Sequence, residues 1–132
     1  KAFDTVSHEY LIEALKIKGV DEHIITLIRN LYHNTNTRIE LKSGETNPIN
    51  IRLGVNQGDP MSPLLFNLSL DPLMCRLEQK GSGFSHCSKN VTSLASADYL
   101  VLLSESWEGM QKNIKILDAF CSATGLKDQG QK

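Results

Sequence analysis

GVNQGDPMSPLLFNL occupies Gly54–Leu68, and its two halves obey different rules. From Gly54 to Pro60 only Val55 is apolar; two glycines, a proline, Asn56, Gln57 and Asp59 make a tight polar turn. Ser62-Pro63 then reads as a helix start, with Ser62 as N-cap and Pro63 at the first helical position. Leu64, Leu65, Phe66, Leu68, Leu70, Leu73, Met74 and Leu77 cover more than one face of that helix, which predicts the most buried element of the chain. Pro72 removes one backbone donor inside it and predicts a kink.

Upstream, Ser7 reads as a helix N-cap, with Val6 and Leu11 spaced for a hydrophobic staple. That helix runs to about Lys18, and Gly19 supplies its left-handed end. Asp21 caps a second helix whose apolar face is Ile24, Ile25, Leu27, Ile28 and Leu31. The period then changes to two. Thr37, Ile39 and Leu41 alternate with Arg38, Glu40 and Lys42; Ser43 to Pro48 is the turn; Ile49, Ile51 and Leu53 return. This predicts a β-hairpin with one face buried.

Downstream, Lys80–Asn90 reads as a Gly/Ser-rich connection. Thr92–Ala97 and Leu100–Leu103 form a second hairpin, with Asp98 near the bend. A last helix starts near Ser106. Met110, Ile114, Leu117 and Cys121 recur at helical spacing beside Phe120, Trp107 anchors its start, and Gly125 ends it; the tail from Lys127 is polar and frays. The order is helix, helix, hairpin, helix, hairpin, helix. The fold class is α+β, an antiparallel sheet with helices on one face.

Composition narrows the function classes. The 132 residues suffice for one domain, and 40% apolar with 22% charged residues is globular rather than disordered. Lys plus Arg number 14 against 15 Asp plus Glu, a formal net charge of -1, which excludes a module that grips nucleic acid by charge alone. No apolar run is long enough to span a bilayer and no signal peptide is visible, so no membrane partner and no secretion are expected. Cys75, Cys87 and Cys121 form no CxxC pair and read as free thiols. His86 beside Cys87 suits neither zinc spacing nor a nucleophile–base pair. The opening at Lys1, without a methionine, a cap or a turn, reads as the inside of a structural element and predicts a piece of a longer chain.

Three blocks in this order carry a resemblance: KAFDTVSH at Lys1–His8, GVNQGDPMSPLLFNL at Gly54–Leu68, and ASADYLVLLSES at Ala95–Ser106, with FCSATGLK at Phe120–Lys127 as a weaker fourth. Together they resemble the palm region of reverse transcriptases, most closely those of non-LTR (LINE-type) retrotransposons. The resemblance implies one partial palm domain over residues 1–132. In it, 1–8 ends the first motif, 54–68 is the Gln-Gly motif with its helix, and 95–106 is the metal-binding hairpin. It implies RNA-templated DNA synthesis from dNTPs by two-metal nucleotidyl transfer, with Mg²⁺ (or Mn²⁺) as cofactor. The implied partners are an RNA template, a DNA primer, and fingers and thumb segments; the implied location is nuclear or cytoplasmic. Ala2, Phe3, Gln57 and Gly58 match nucleotide-binding positions, and Asp98 matches a catalytic metal ligand.

The chain departs from that pattern where the chemistry lies. The family's first aspartate would precede Lys1, and Asp4 lies beyond the Ala2-Phe3 pair and is not its equivalent. The family's adjacent aspartates are Asp98-Tyr99 here, and Ser96 replaces the preceding aromatic. A phenol is neutral at pH 7 and a poor ligand for a hard cation. One carboxylate cannot hold two divalent ions, so metal binding is expected to be weak or absent and the chain not to polymerise. Aspartate to tyrosine and phenylalanine to serine are each one base change, the pattern of a decayed element copy. The central strand that the family places before Lys1 is missing, which predicts an open sheet edge, marginal stability and self-association.

Read without their neighbours, these residues keep plainer readings. Asp98 suits a turn that hydrogen-bonds its own backbone, Phe3 suits a core, and Gln57-Gly58 suits any strand-to-helix turn. Lys1, Arg38 and Arg52 suit phosphate contact or a solvated face. Two further functions stay open: a non-catalytic nucleic-acid-binding remnant, and a relic without function.

Overall fold

The computed structural model describes residues 4–33, 35–56, 58–97 and 99–127. Lys1, Ala2, Phe3, Gln57 and Asp98 therefore lie outside the described residues. Helix α1 (His8–Ile17) starts where expected: the Ser7 hydroxyl accepts the Tyr10 N–H at 3.5 Å. Val6 and Leu11 are both fully buried, and Gly19 takes a positive φ of 72°. In α2 (Glu22–His33), Asp21 Oδ1 accepts the His23 N–H at 2.8 Å, completing the cap.

The α2 apolar face differs from expectation. Ile25, Ile28 and Tyr32 are buried, whereas Ile24, Leu27 and Leu31 are exposed, Leu27 by 60%. Both sets are helical stripes, and period alone cannot choose between adjacent stripes. The aromatic ring at position 32 belongs to the buried one.

The first hairpin is also corrected. It consists of two short ladders, β1 (Asn36–Thr37) with β4 (Ile49–Asn50) and β2 (Glu40–Leu41) with β3 (Gly44–Glu45). Leu41 pairs with Gly44, so the turn is Lys42-Ser43 and not the longer Ser43–Pro48 stretch. Pairing continues from Glu40↔Glu45 to Thr37↔Ile49. The returning strand thus carries one extra residue between Glu45 and Ile49, a bulge at Pro48, which has no N–H to give the ladder. No face is buried: Ile39, Leu41, Ile49, Ile51 and Leu53 are all exposed. The hairpin joins the body at its root, where Ser7 bridges Leu53 and Gly54 N–H donates to Val6 O at 2.8 Å.

Helix α3 (Ser62–Lys80) is the spine. It buries Ser62, Leu65, Phe66, Ser69, Leu73 and Leu77, more residues than any other helix, and packs on α1 and on α4 (Trp107–Thr124). The stripe is narrower than predicted, because Leu64 is exposed. Met61 holds the N-cap position with no side-chain cap bond, and Ser62 is the first helical residue. Helix runs through Pro72. Three residues earlier, the Ser69 carbonyl accepts the Tyr10 hydroxyl at 2.8 Å, an outside donor in the turn that the proline disturbs.

Beyond α3, the expected connection folds as a further hairpin, β5 (Phe84–His86) with β6 (Lys89–Val91). Cys87 and Ser88 both have positive φ, 48° and 63°, the two left-handed residues of a type I′ turn. Neither is a usual residue at a left-handed turn position, which hid the hairpin from the sequence reading. The last hairpin, β7 (Ser93–Ser96) with β8 (Tyr99–Leu102), forms as predicted. The single predicted sheet does not: among the described residues each strand has one partner, in four separate two-stranded ladders. Helix α4 is capped by Ser106, which accepts the Gly109 N–H at 3.0 Å, and ends at Gly125 with φ 74°. Its buried residues are Gly109, Asn113, Phe120 and Thr124, while Met110, Leu117 and Cys121 are half-buried and Ile114 is exposed. Trp107, expected as an anchor, is 69% exposed. The three cysteines are free. No described helix is long and apolar enough to cross a membrane.

Candidate functional site

Two features from the sequence can be followed in the structure: the loop into α3 and the β7–β8 hairpin. Gly54 turns the chain with φ 87°, and its carbonyl accepts His8 Nε2 at 2.8 Å. A carbonyl oxygen only accepts, so Nε2 is the donor in that bond. Val55 is buried and anchors the loop from below. Asn56 O accepts the Ser62 hydroxyl at 2.6 Å, and Asp59 Oδ1 accepts the Met61 N–H at 2.9 Å. Asp59 thus closes the turn ahead of the helix, and the Ser62 side chain ties the helix back to the loop instead of capping it. Gly58 has φ 90°, and nothing lies within 4 Å of where a Cβ would stand. Backbone conformation, and not crowding, requires glycine there. Gln57 lies outside the described residues.

The β7–β8 ladder runs from Ser93↔Leu102 to Ser96↔Tyr99. Leu100 and Leu102 pack on the core, while Leu94, Tyr99 and Val101 are exposed, Tyr99 by 77%. Ala97 has φ 51°, and Asp98 lies outside the described residues. Two contacts extend the ladder into the body. Leu103 N–H donates to Thr92 O at 2.8 Å, and the Ser93 hydroxyl meets Met74 Sδ of α3 at 3.8 Å.

Sequence reasoning missed the residue that holds this hairpin to α4. Asn113 is fully buried. Its Oδ1 accepts the Ser82 N–H at 2.8 Å, and its Nδ2 donates to Ser82 O at 2.9 Å and to Leu103 O at 3.1 Å. One amide thereby joins the exit of α3, the end of β8 and the middle of α4. Glycines allow the approach. A Cβ on Gly81 would stand 2.7 Å from Asn113 Oδ1, and one on Gly109 would stand 2.3 Å from Ser104 Oγ. The readable signal was the spacing of Gly109 and Asn113 by four, two poor helix formers on one helical face.

The titratable groups with displaced equilibria lie elsewhere. Burial first, and the Asp71 carboxylate second, push the Tyr10 phenol up to about 12. Asp71 pairs with Lys18, which holds its carboxyl below the usual range and raises the Lys18 ammonium. The Cys75 thiol contacts Asp71 at 3.5 Å and is pushed up, which makes it a weaker nucleophile. Among the described residues no three His, Cys, Asp or Glu side chains are grouped to hold a metal ion.

The model of the family described as reverse transcriptase (RNA-dependent DNA polymerase) matches residues 1–132. The chain is 38% identical over 130 residues to the retrovirus-related Pol polyprotein from type-1 retrotransposable element R2 of Nasonia vitripennis, covering 98% of the chain and 12% of that protein. It is 44% identical over 107 residues to the corresponding R2 polyprotein of Popillia japonica, covering 80% of the chain and 18% of that protein. To the Pol polyprotein of the type-2 element R2DM of Drosophila melanogaster it is 34% identical over 134 residues, covering 100% of the chain and 12% of that protein. The chain therefore spans less than a fifth of the length of these relatives.

Proposed function

The chain belongs to the reverse transcriptase (RNA-dependent DNA polymerase) family, and we propose that it is the partial palm of such a polymerase from a non-LTR element. In this reading the parent protein copies RNA into DNA from dNTPs. Ala2, Phe3, Gln57 and Gly58 face the incoming nucleotide, and Asp98 is a ligand for Mg²⁺, which when bound would activate the primer 3′-hydroxyl. The observation that carries the reading is the family match along residues 1–132. Position 99 holds a phenol. Among the described residues no three His, Cys, Asp or Glu side chains are grouped to hold a metal ion, so the side chains described do not fit a metal pair. What the chain's own residues supply is scaffolding. Val55, Asp59 and Ser62 fix the loop into α3, and Asn113 fixes β8. The exposed apolar residues of α2 and of the first hairpin suit faces that fingers or thumb segments would cover, or through which copies self-associate.

The test is to replace the matching segment of a relative that extends primers with residues 1–132, as they stand and with Tyr99→Asp. No extension from the first graft and extension from the second are expected. Full extension with Tyr99 in place would overturn the role given to that position. A folded, RNA-bound but inactive Tyr99→Asp graft would overturn the assignment of Asp98. The phenol at position 99 also favours one second reading, a remnant that binds nucleic acid without chemistry. It predicts RNA binding by the chain unchanged by Tyr99→Asp.

A further inference from the structure

Two of the motif blocks, residues 1–8 and 54–68, meet at Gly54, and one side chain closes the junction. Gly54 is buried, and residues 6–8 take both polar groups of its backbone. Its N–H donates to Val6 O at 2.8 Å, and its carbonyl accepts His8 Nε2 at 2.8 Å across 46 positions of chain. The Ser7–Leu53 bridge lies beside them. The Val6 contact and the bridge are backbone on backbone and tolerate many side chains. The bond from His8 depends on which residue stands at position 8.

That bond holds a peptide plane with freedom to turn. Gly54 has φ 87°, and a glycine reaches other backbone states at little cost, so the direction of its carbonyl is fixed by what the carbonyl binds. His8 is suited to the task. Its ring meets Tyr32 with centroids 4.7 Å apart at 60°, and Tyr32 is 4% exposed. The donor is therefore aimed by packing, and the bond costs little further rotamer freedom. At the other end of the loop, Asn56 O accepts both the Ser62 hydroxyl at 2.6 Å and the Asp59 N–H at 3.3 Å. The loop is thus held at its entry by His8 and at its exit by Ser62, with the exposed Gly58 beyond Asn56.

We propose that His8 is a positioning residue for nucleotide binding: through the Gly54 carbonyl it fixes the backbone of the loop that meets the incoming dNTP. The proposal rests on the family reading above, which sets Gln57 and Gly58 against that nucleotide. His8 touches neither substrate nor metal in it. Its bond also ties the block carrying Ala2 and Phe3 to the loop carrying Gln57 and Gly58. Loss of the bond should therefore weaken dNTP binding and leave the grip on primer–template unchanged.

The two contacts of His8 can be separated. His8→Phe keeps a ring for Tyr32 and removes the donor. His8→Gln removes the ring and keeps an amide N–H at nearly the reach of Nε2. Each is placed in the Tyr99→Asp graft, and primer extension is followed at varied dTTP and, separately, at varied primer–template. His8→Phe is expected to raise the KM for dTTP about three- to tenfold, the order of one hydrogen bond, with the KM for primer–template unchanged. His8→Gln should restore most of that loss. A structural role alone would lower the amount of folded enzyme, so kcat would fall at constant KM, and Phe would be the milder change. A parental KM in His8→Phe, or His8→Gln as damaging as His8→Phe, would overturn the proposal. Should His8→Phe fail to fold, His8→Asn, whose amide falls short of Gly54 O, takes its place.

The 132-residue chain gives a second readout that needs no catalysis. Amide exchange at Gly54 and Asp59 should quicken about tenfold in His8→Phe, the order of one lost hydrogen bond, and much less in His8→Gln. The Ser82 amide, bonded to Asn113 Oδ1 at 2.8 Å, should keep its parental rate. Unchanged rates at Gly54 and Asp59, or equal quickening at all three amides, would overturn the proposal. A Tyr99→Asp graft that extends no primer sinks the functional reading and leaves exchange to decide whether His8 fixes the loop. An active graft with a parental KM in His8→Phe sinks the proposal alone.

Discussion

Replacing Asn113 should unfasten the β8 end from α4. The amide makes three hydrogen bonds with no solvent exposure, two to Ser82 and one to Leu103 O. At a net value of about 1 kcal/mol each they contribute about 3 kcal/mol, and the backbone groups left unpaired add more, for about 3–5 kcal/mol in all. Domains of this size are stable by about 5–15 kcal/mol, so the loss is a large fraction of the total. The decisive comparison is Asn113→Leu. Leucine has the same branched skeleton and the same number of side-chain heavy atoms, is bulkier and more apolar, and is a better helix former. If position 113 were a packing site, leucine would be neutral or stabilising. If it is a polar junction, leucine leaves the same three groups unpaired and should cost as much as alanine. Asn113→Asp keeps the acceptor for Ser82 N–H but sets a carboxylate oxygen against two carbonyl oxygens with no solvent exposure, and should cost at least as much as alanine. Urea unfolding followed by circular dichroism measures all three, and hydrogen exchange at the Ser82 amide reports the local bond. An Asn113→Leu variant within about 0.5 kcal/mol of the parent, the spread of unimportant surface changes, would refute the junction.

Three other outcomes follow from the same geometry. Gly109→Ala should gain helix propensity of about 1 kcal/mol yet lower the melting temperature, because the new methyl meets Ser104 Oγ at 2.3 Å and Ser82 Oγ at 2.7 Å and overpacking costs about 1–3 kcal/mol; a thermal melt decides which wins. Tyr10→Phe should cost about 1 kcal/mol at pH 7 by deleting the bond to Ser69 O. The folded state holds the Tyr10 proton more tightly than the unfolded state does, with a pKa of about 12 against 10.0. The parent should therefore keep this contribution below pH 10 and lose it as pH rises toward 12. The Phe variant should lack that part of the decline in urea midpoints at pH 7 and 11, while Lys18 and Asp71 titrate alike in both proteins. On α2, Ile25→Ala should cost about 2–4 kcal/mol and Ile24→Ala under about 0.5 kcal/mol, since one side chain is buried and its neighbour is half exposed; equal costs would restore the broader apolar face.

What the sequence disclosed and what it concealed divide along a physical line. Ser7, Asp21, Ser106, Gly19 and Gly125 act within four residues of themselves, through caps and left-handed ends, and the structure has each where local chemistry demands it. The stripe that α2 buries, the solvation of the first hairpin and the burial of Asn113 depend on which element lies opposite, and period and polarity do not encode that. Ile24 and Ile25 are chemically the same residue; only their neighbours differ. The Cys87-Ser88 turn was concealed for another reason, since both residues adopt φ values that favour glycine or asparagine. For the candidate site, the motif blocks were legible by resemblance. Gly58 has the conformation that explains its glycine, whereas Ala2, Phe3, Gln57 and Asp98 lie outside the described residues. Asn113 carried no motif at all.

The separation of scaffold from chemistry bears on how position 99 can vary. The hairpin is held by the Leu103–Thr92 bond, by Ser93 against Met74, by Leu100 and Leu102 on the core, and by Asn113 behind. None of these contacts uses the side chain of Tyr99, which is mostly exposed. An aspartate in its place would give up strand propensity, worth at most about 1 kcal/mol, and no packing. Folding is therefore nearly blind to this residue, and in the proposed reading catalysis is what would hold a carboxylate there. In that reading, tyrosine can replace aspartate while α3, α4 and the ladder between them persist. The same argument makes Tyr99→Asp a clean probe: a change in primer extension between the two grafts reports chemistry, because the fold does not depend on the answer.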